Sequence, residues 1–160
     1  RNVTGVQTCA LPILRLATRQ DIPVLVEMMR AYAKEAPIKQ LQDQENHNAE
    51  YVANMLFQLI VGKGFVYIDN NFNGFIAALK TKNVWCPQII ELRELAWWVK
   101  TEHRNGSLGG RLWKTFNTKA QSMLELGEIN YICTTVMANS PLIDYTKRGY
   151  KPLEATFFRD

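Results

Sequence analysis

The chain has 160 residues, 47% of them hydrophobic and 21% charged, with a formal net charge of +4. These values suit one globular domain with a single core, and no stretch reaches the roughly 18 to 20 apolar residues that a membrane helix needs. The basic residues are scattered and form no dense stripe, which argues against nucleic acid as a partner and leaves an anionic ligand open.

Residues 3–13 (VTGVQTCALPI) resemble the translation of a sequencing-library adapter. Thr4, Gly5, Gln7 and Thr8 interrupt their apolar run, and they lack the basic start of a signal peptide. We read residues 1–13 as non-native and 14–160 as one domain, which implies that the native start is missing. Cys86 and Cys133 then remain, far apart and without metal-type spacing. Neither a disulfide framework nor a metal site is expected, and a reducing, cytoplasmic setting is favoured.

Residues 14–17 read as a short strand. Thr18 then stands as an N-cap with Asp21 three residues on, close to a capping box. Ile22, Leu25, Val26, Met29 and Ala33 recur at helical spacing until Pro37 ends the pattern. A polar loop is expected over 39–48 and a second helix over 50–61, closed by Gly62 and Gly64. Apolar runs at 65–68 and 75–79, separated by an Asp/Asn-rich turn, predict a β-hairpin. A connection over 84–88 leads to a long strand over 89–99. Leu108, Leu112, Phe116, Ala120 and Leu124 form one stripe of a helix over 108–126, stopped by Gly127. A strand over 129–137, a short helix over 141–147 and a last strand over 155–158 complete the chain.

This order predicts a mixed α/β (α+β) domain. The strand, helix, strand unit over 89–137 requires its two strands to be parallel, with a right-handed crossover. Its turn reads Glu102-His103-Arg104-Asn105-Gly106-Ser107-Leu108-Gly109-Gly110-Arg111. Glycines that admit close approach and positive φ, beside the open N–H groups of a helix's first turn, make an anion site to which Arg104 or Arg111 would add charge. The turn lacks both the Gly-Lys-Ser/Thr of a P-loop and the spacing of a dinucleotide fingerprint.

The turn is similar to the acetyl-CoA motif of GNAT acetyltransferases, (Gln/Arg)-x-x-Gly-x-(Gly/Ala), with Arg104 first, Ser107 in place of the first glycine and Gly109 as the second. Thr101-Glu102 stands where Pro-Glu is usual. Asn139 and the run Tyr145-Thr146-Lys147-Arg148-Gly149-Tyr150 resemble the family's later Asn...Tyr-x-Lys-x-Gly-(Phe/Tyr) segment, and Leu14-Arg15-Leu16-Ala17-Thr18 with Asp21-Ile22-Pro23 resembles its opening. Serine at position 107 puts the loop geometry in question.

The resemblance implies a mostly antiparallel sheet with a central splayed parallel strand pair and helices on both faces. Acetyl-CoA would be the co-substrate and a primary amine, on a small molecule or a protein, the acceptor. The pyrophosphate would lie on Arg104, Asn105, Gly106, Ser107, Leu108, Gly109 and Gly110. The backbone of Trp97, Trp98 and Val99 would hold the pantetheine arm as an added strand, with Asn139 also at the cofactor. Tyr145 is the candidate acid for the departing thiolate. Glu94 is the candidate base and Glu91 its rival, since a bulge would reset strand parity; either could instead pair with Arg93. A non-catalytic acyl-CoA-binding or protein-interaction domain is the alternative reading. Homodimers occur in the family, yet no exposed apolar stripe marks an interface. Adjacent strand residues face opposite ways, so Trp97 and Trp98 are expected in packing on both faces and not in one nucleic-acid platform. His47 and His103 lack triad partners in sequence.

Overall fold

The computed structural model describes residues 13–140 and 143–159. Apart from Ile13, the stretch read as non-native lies outside them. Five strands pair in the order β1 (Leu14–Leu16), β2 (Gly64–Asp69), β3 (Gly74–Lys82), β4 (Ile90–Val99) and β5 (Tyr131–Cys133). All neighbours are antiparallel except β4 and β5, which are parallel, as a crossover between them requires.

Helices cover both faces. On one, α1 (Ile22–Lys34) and α3 (Ala49–Gln58) bury Leu25, Met29 and Leu56 against Ile68, Phe75 and Ala96. On the other, α4 (Leu108–Glu125) buries Leu112, Trp113 and Phe116 against Phe65, Ile76 and Leu92. Trp98 packs against the first cluster and Trp97 against the second, so the adjacent tryptophans are divided between the faces. Among the described residues, no helix is long and apolar enough to cross a membrane.

Local chemistry fixes the entries. Asp21 accepts the Thr18 backbone N–H at 2.7 Å and a two-pronged ion pair from Arg15 at 2.7 and 2.8 Å, which holds its carboxyl well below the usual range. The hairpin turn is organised by the fully buried Asp69, whose carboxylate accepts the N–H groups of Asn71, Asn73 and Gly74. Without that acceptor, the turn's donors would lie unpaired beside the core.

Four expected elements differ. The polar loop contains a helical turn, α2 (Lys39–Gln42), because Leu41 and Gln42 N–H groups both return to the Ile38 carbonyl. The strand expected over 129–137 pairs only over Tyr131–Cys133. In place of a helix over 141–147 there is a single 3-10 turn, Thr146–Arg148, ended by Gly149 in the left-handed region at φ 84°; Pro141 and Leu142 lie outside the described residues. Residues 155–158 do not form a strand. Phe157 is 90% exposed, and apolar residues without a neighbouring edge to bond have no ladder to join.

Candidate active site

The parallel ladder ends where Arg93 stands opposite Cys133. Just beyond, β3 pairs Ala77 with Ala96 and Ala78 with Glu94, leaving Leu95 as the extra residue of a bulge. Side-chain parity changes there: Ile90 and Leu92 pack toward α4, and so do Trp97 and Val99. Past the bulge, residues 134–137 run without ladder pairing to β4. The early end of β5 is therefore the opening of a cleft of about 390 Å³, with Glu94, Trp97, Trp98 and Val99 on one side and Thr135, Val136 and Met137 on the other. Residues 97–99 bond β3 along one edge and turn the other to this gap.

One end of the cleft is closed by the turn into α4. The first intrahelical bond runs from Arg111 N–H to the Ser107 carbonyl, so the N–H groups of Leu108, Gly109 and Gly110 precede the helix's own bonding. The Ser107 side chain at the N-cap does not cap them. The expected positive φ is not used at Gly106, Gly109 or Gly110. Space is what these glycines provide. All three line the cleft, and a Cβ on Gly110 would meet nothing within 4 Å, so the space beside it is open. Ser107 has φ −81° and ψ −8°, ordinary right-handed values, so serine places no strain on the turn. Arg104 donates from Nε to the Val99 carbonyl at 2.7 Å, tying the turn to the end of β4, and from Nη2 to Glu35 at 2.5 Å.

At the bulge, Glu94 is 5% exposed. Burial pushes its carboxyl up to about 7, against the opposing effect of a hydrogen bond from the Thr135 backbone. Two phenols that line the same cleft, Tyr32 of α1 and Tyr145, are each pushed up to about 12 by burial and by the Glu94 charge. The Tyr145 ring packs on Trp113 and Tyr150, and its hydroxyl reaches toward the Thr135 carbonyl at 3.4 Å. A carboxylate that titrates near neutrality and a phenol that stays protonated thus share one cavity, the division of roles that an acid–base pair needs.

Glu91 has a different setting. Although it is buried, its carboxyl is held low because it accepts hydrogen bonds from Tyr131 Oη at 2.5 Å and Arg93 Nε at 3.0 Å, away from the residues that line the cleft. The pairing with Arg93 runs along one strand. Asn105, Ser107 and Leu108 likewise do not line the cleft with their side chains, and Leu108 is buried against β4. Asn139 does, and donates to the Glu35 carbonyl at 2.7 Å. Tyr32 and Glu35 enter the site unannounced by the sequence. Tyr32 falls in the last turn of a helix whose spacing reads as core, and only tertiary packing brings it to β4. Elsewhere, His47 accepts from Arg30 Nε at 3.4 Å and His103 sits in an exposed turn.

No protein-family model and no curated protein sequence matches the chain. Solved structures do. An acetyltransferase of Trypanosoma brucei superposes with a TM-score of 0.62 at 13% identity, covering 92% of this chain and 98% of that one. An aminoglycoside acetyltransferase from an uncultured soil metagenomic sample gives 0.62 at 11%, covering 92% and 95%. A GNAT family acetyltransferase of Staphylococcus aureus gives 0.57 at 15%, covering 92% and 97%. The chain has the GNAT acetyltransferase fold. At these identities the likeness defines the architecture, and the reaction must be argued from the site.

Proposed function

We propose that this protein is an acetyl-CoA-dependent N-acetyltransferase acting on a primary amine. The observation that carries the reading is Glu94, a buried carboxyl that titrates near neutrality in the gap between β4 and residues 134–137, with Tyr145 in the same cavity. The residues present fit the co-substrate: open N–H groups and room beside Gly110 for a pyrophosphate, a positive charge at Arg104, and a free strand edge over 97–99 for an extended arm bearing amides. Acetyl-CoA supplies an acyl group on a thioester.

Glu94 takes a proton from the acceptor's ammonium, giving an amine whose nitrogen lone pair can attack the acyl carbon. As the C–N bond forms and the C–S bond breaks, Tyr145 gives its hydroxyl proton to the departing sulfur, and the surplus proton of the new amide nitrogen passes to the Tyr145 phenolate and restores the phenol. The low-dielectric surroundings that raise Glu94 also keep Tyr145 protonated at neutral pH. Tyr32 of α1 lines the same cavity, near enough for the Glu94 charge to add to the burial that raises it. The acceptor would enter on this side, between α1 and the strand pair.

Calorimetric titration with acetyl-CoA tests the binding half. The wild type should bind, and Arg104→Glu should weaken binding roughly tenfold to a hundredfold, the range for losing a hydrogen bond to a charged group. No binding by the wild type at high micromolar ligand would remove the reading.

A further inference from the structure

Three cleft-lining residues converge on Glu35, which follows the last turn of α1. Its Oε1 accepts from Trp98 Nε1 at 2.8 Å and from Arg104 Nη2 at 2.5 Å, while its backbone carbonyl accepts from Asn139 Nδ2. The end of an acceptor-side helix is thereby fastened both to the turn that carries Arg104 and to the segment after β5. The ion pair is half-exposed, with side-chain exposures of 38% and 43%. Pairs of that kind are weak, because solvent screens them and ordering two long side chains costs entropy. A pyrophosphate offers a guanidinium charge-assisted bonds like those of a carboxylate but with more negative charge, and a carboxylate on the same guanidinium repels it. Arg104 Nε remains on the Val99 carbonyl, so the guanidinium stays at the turn whichever anion it meets.

We propose that Glu35 competes with the ligand's pyrophosphate for Arg104, and that filling the turn releases the end of α1 from the turn. The identity of the anion rests on the reading given under Proposed function. Glu35 acts here as a positioning residue, through Arg104 and Trp98, and takes no part in proton transfer.

The test uses inorganic pyrophosphate and acetyl-CoA as separate probes, titrated calorimetrically at low ionic strength into wild type, Glu35→Gln, Arg104→Gln and the double variant. Glu35→Gln should tighten both probes roughly two- to fivefold, the fold-change equivalent of an exposed ion pair. In the Arg104→Gln background it should add nothing. Saturating pyrophosphate should also shift the indole Nε1–H resonance of wild-type Trp98, assigned with Trp98→Phe. Unchanged or weaker binding by Glu35→Gln, equal tightening without Arg104, or an unmoved Trp98 resonance would each overturn the proposal. Pyrophosphate binding with the full pattern but no acetyl-CoA binding would keep the competition and remove the cofactor reading. Acetyl-CoA binding that ignores Glu35 would do the reverse, and failure of both probes to bind would overturn both.

Discussion

A glutamate ordinarily ionises near pH 4.5, and burial at position 94 carries that value to about 7. Because the folded value lies above the unfolded one, this group's contribution to stability is complete below about pH 4.5 and is lost as pH rises through 7. Glu94→Gln, which removes the buried charge, should therefore raise the melting temperature at pH 8 and change it little at pH 4. An equal rise at both pH values would contradict the burial argument. As the proposed base, Glu94 must be deprotonated, so kcat/KM should climb with pH through an inflection near 7. Glu94→Gln should lower it by roughly a hundredfold or more. Retained activity with the inflection intact would place the base elsewhere. Tyr145→Phe should reduce kcat by about tenfold or more with acetyl-CoA affinity unchanged; lost affinity with kcat preserved would make the ring a packing element. Sequence could name Glu94 and Glu91 as rivals. It could not rank them, because the difference lies in what each touches: Glu91 meets Tyr131 and Arg93, and Glu94 meets the open gap.

The glycines of the turn into α4 mark it in the sequence as a candidate anion site, although the role expected of them is one that the backbone revises. Gly110 adopts no special torsion, so replacing it with alanine should cost the fold nothing and, at a helix's start, should stabilise it by about 0.5–1 kcal/mol. Its new methyl would occupy ligand space. Gly110→Ala should thus raise the melting temperature while weakening acetyl-CoA binding, and a variant that binds as tightly as wild type would show that the pyrophosphate lies elsewhere. The bulge at Leu95 was foreseeable only as a possibility that would reset parity. Its position depends on which β3 residue pairs with which β4 residue, and that register is tertiary information. For the same cause the 129–137 strand was drawn too long: apolar composition continues past Cys133, but pairing stops where the two strands part.

The molecule as a whole combines a sheet legible from periodicity with a cleft legible only in part. Hydrophobic spacing in α1, α3 and α4 and the hairpin over β2 and β3 led to the correct layers, because each element's apolar face is written in its own residues. Tyr32 and Glu35 escaped notice because a helix end carries no sign of the strand it will meet. Both line the cleft on the α1 side, where the proposed function has the acceptor enter. Whether the gap between residues 97–99 and 134–137 is the cofactor channel is tested most directly by a crystal structure with CoA bound. It should show the pantetheine arm paired as an added strand with the free edge of residues 97–99, the sulfur beside Tyr145, and the pyrophosphate over Gly106, Gly109 and Gly110. CoA bound elsewhere on the surface, with the gap closed or filled by side chains, would contradict it.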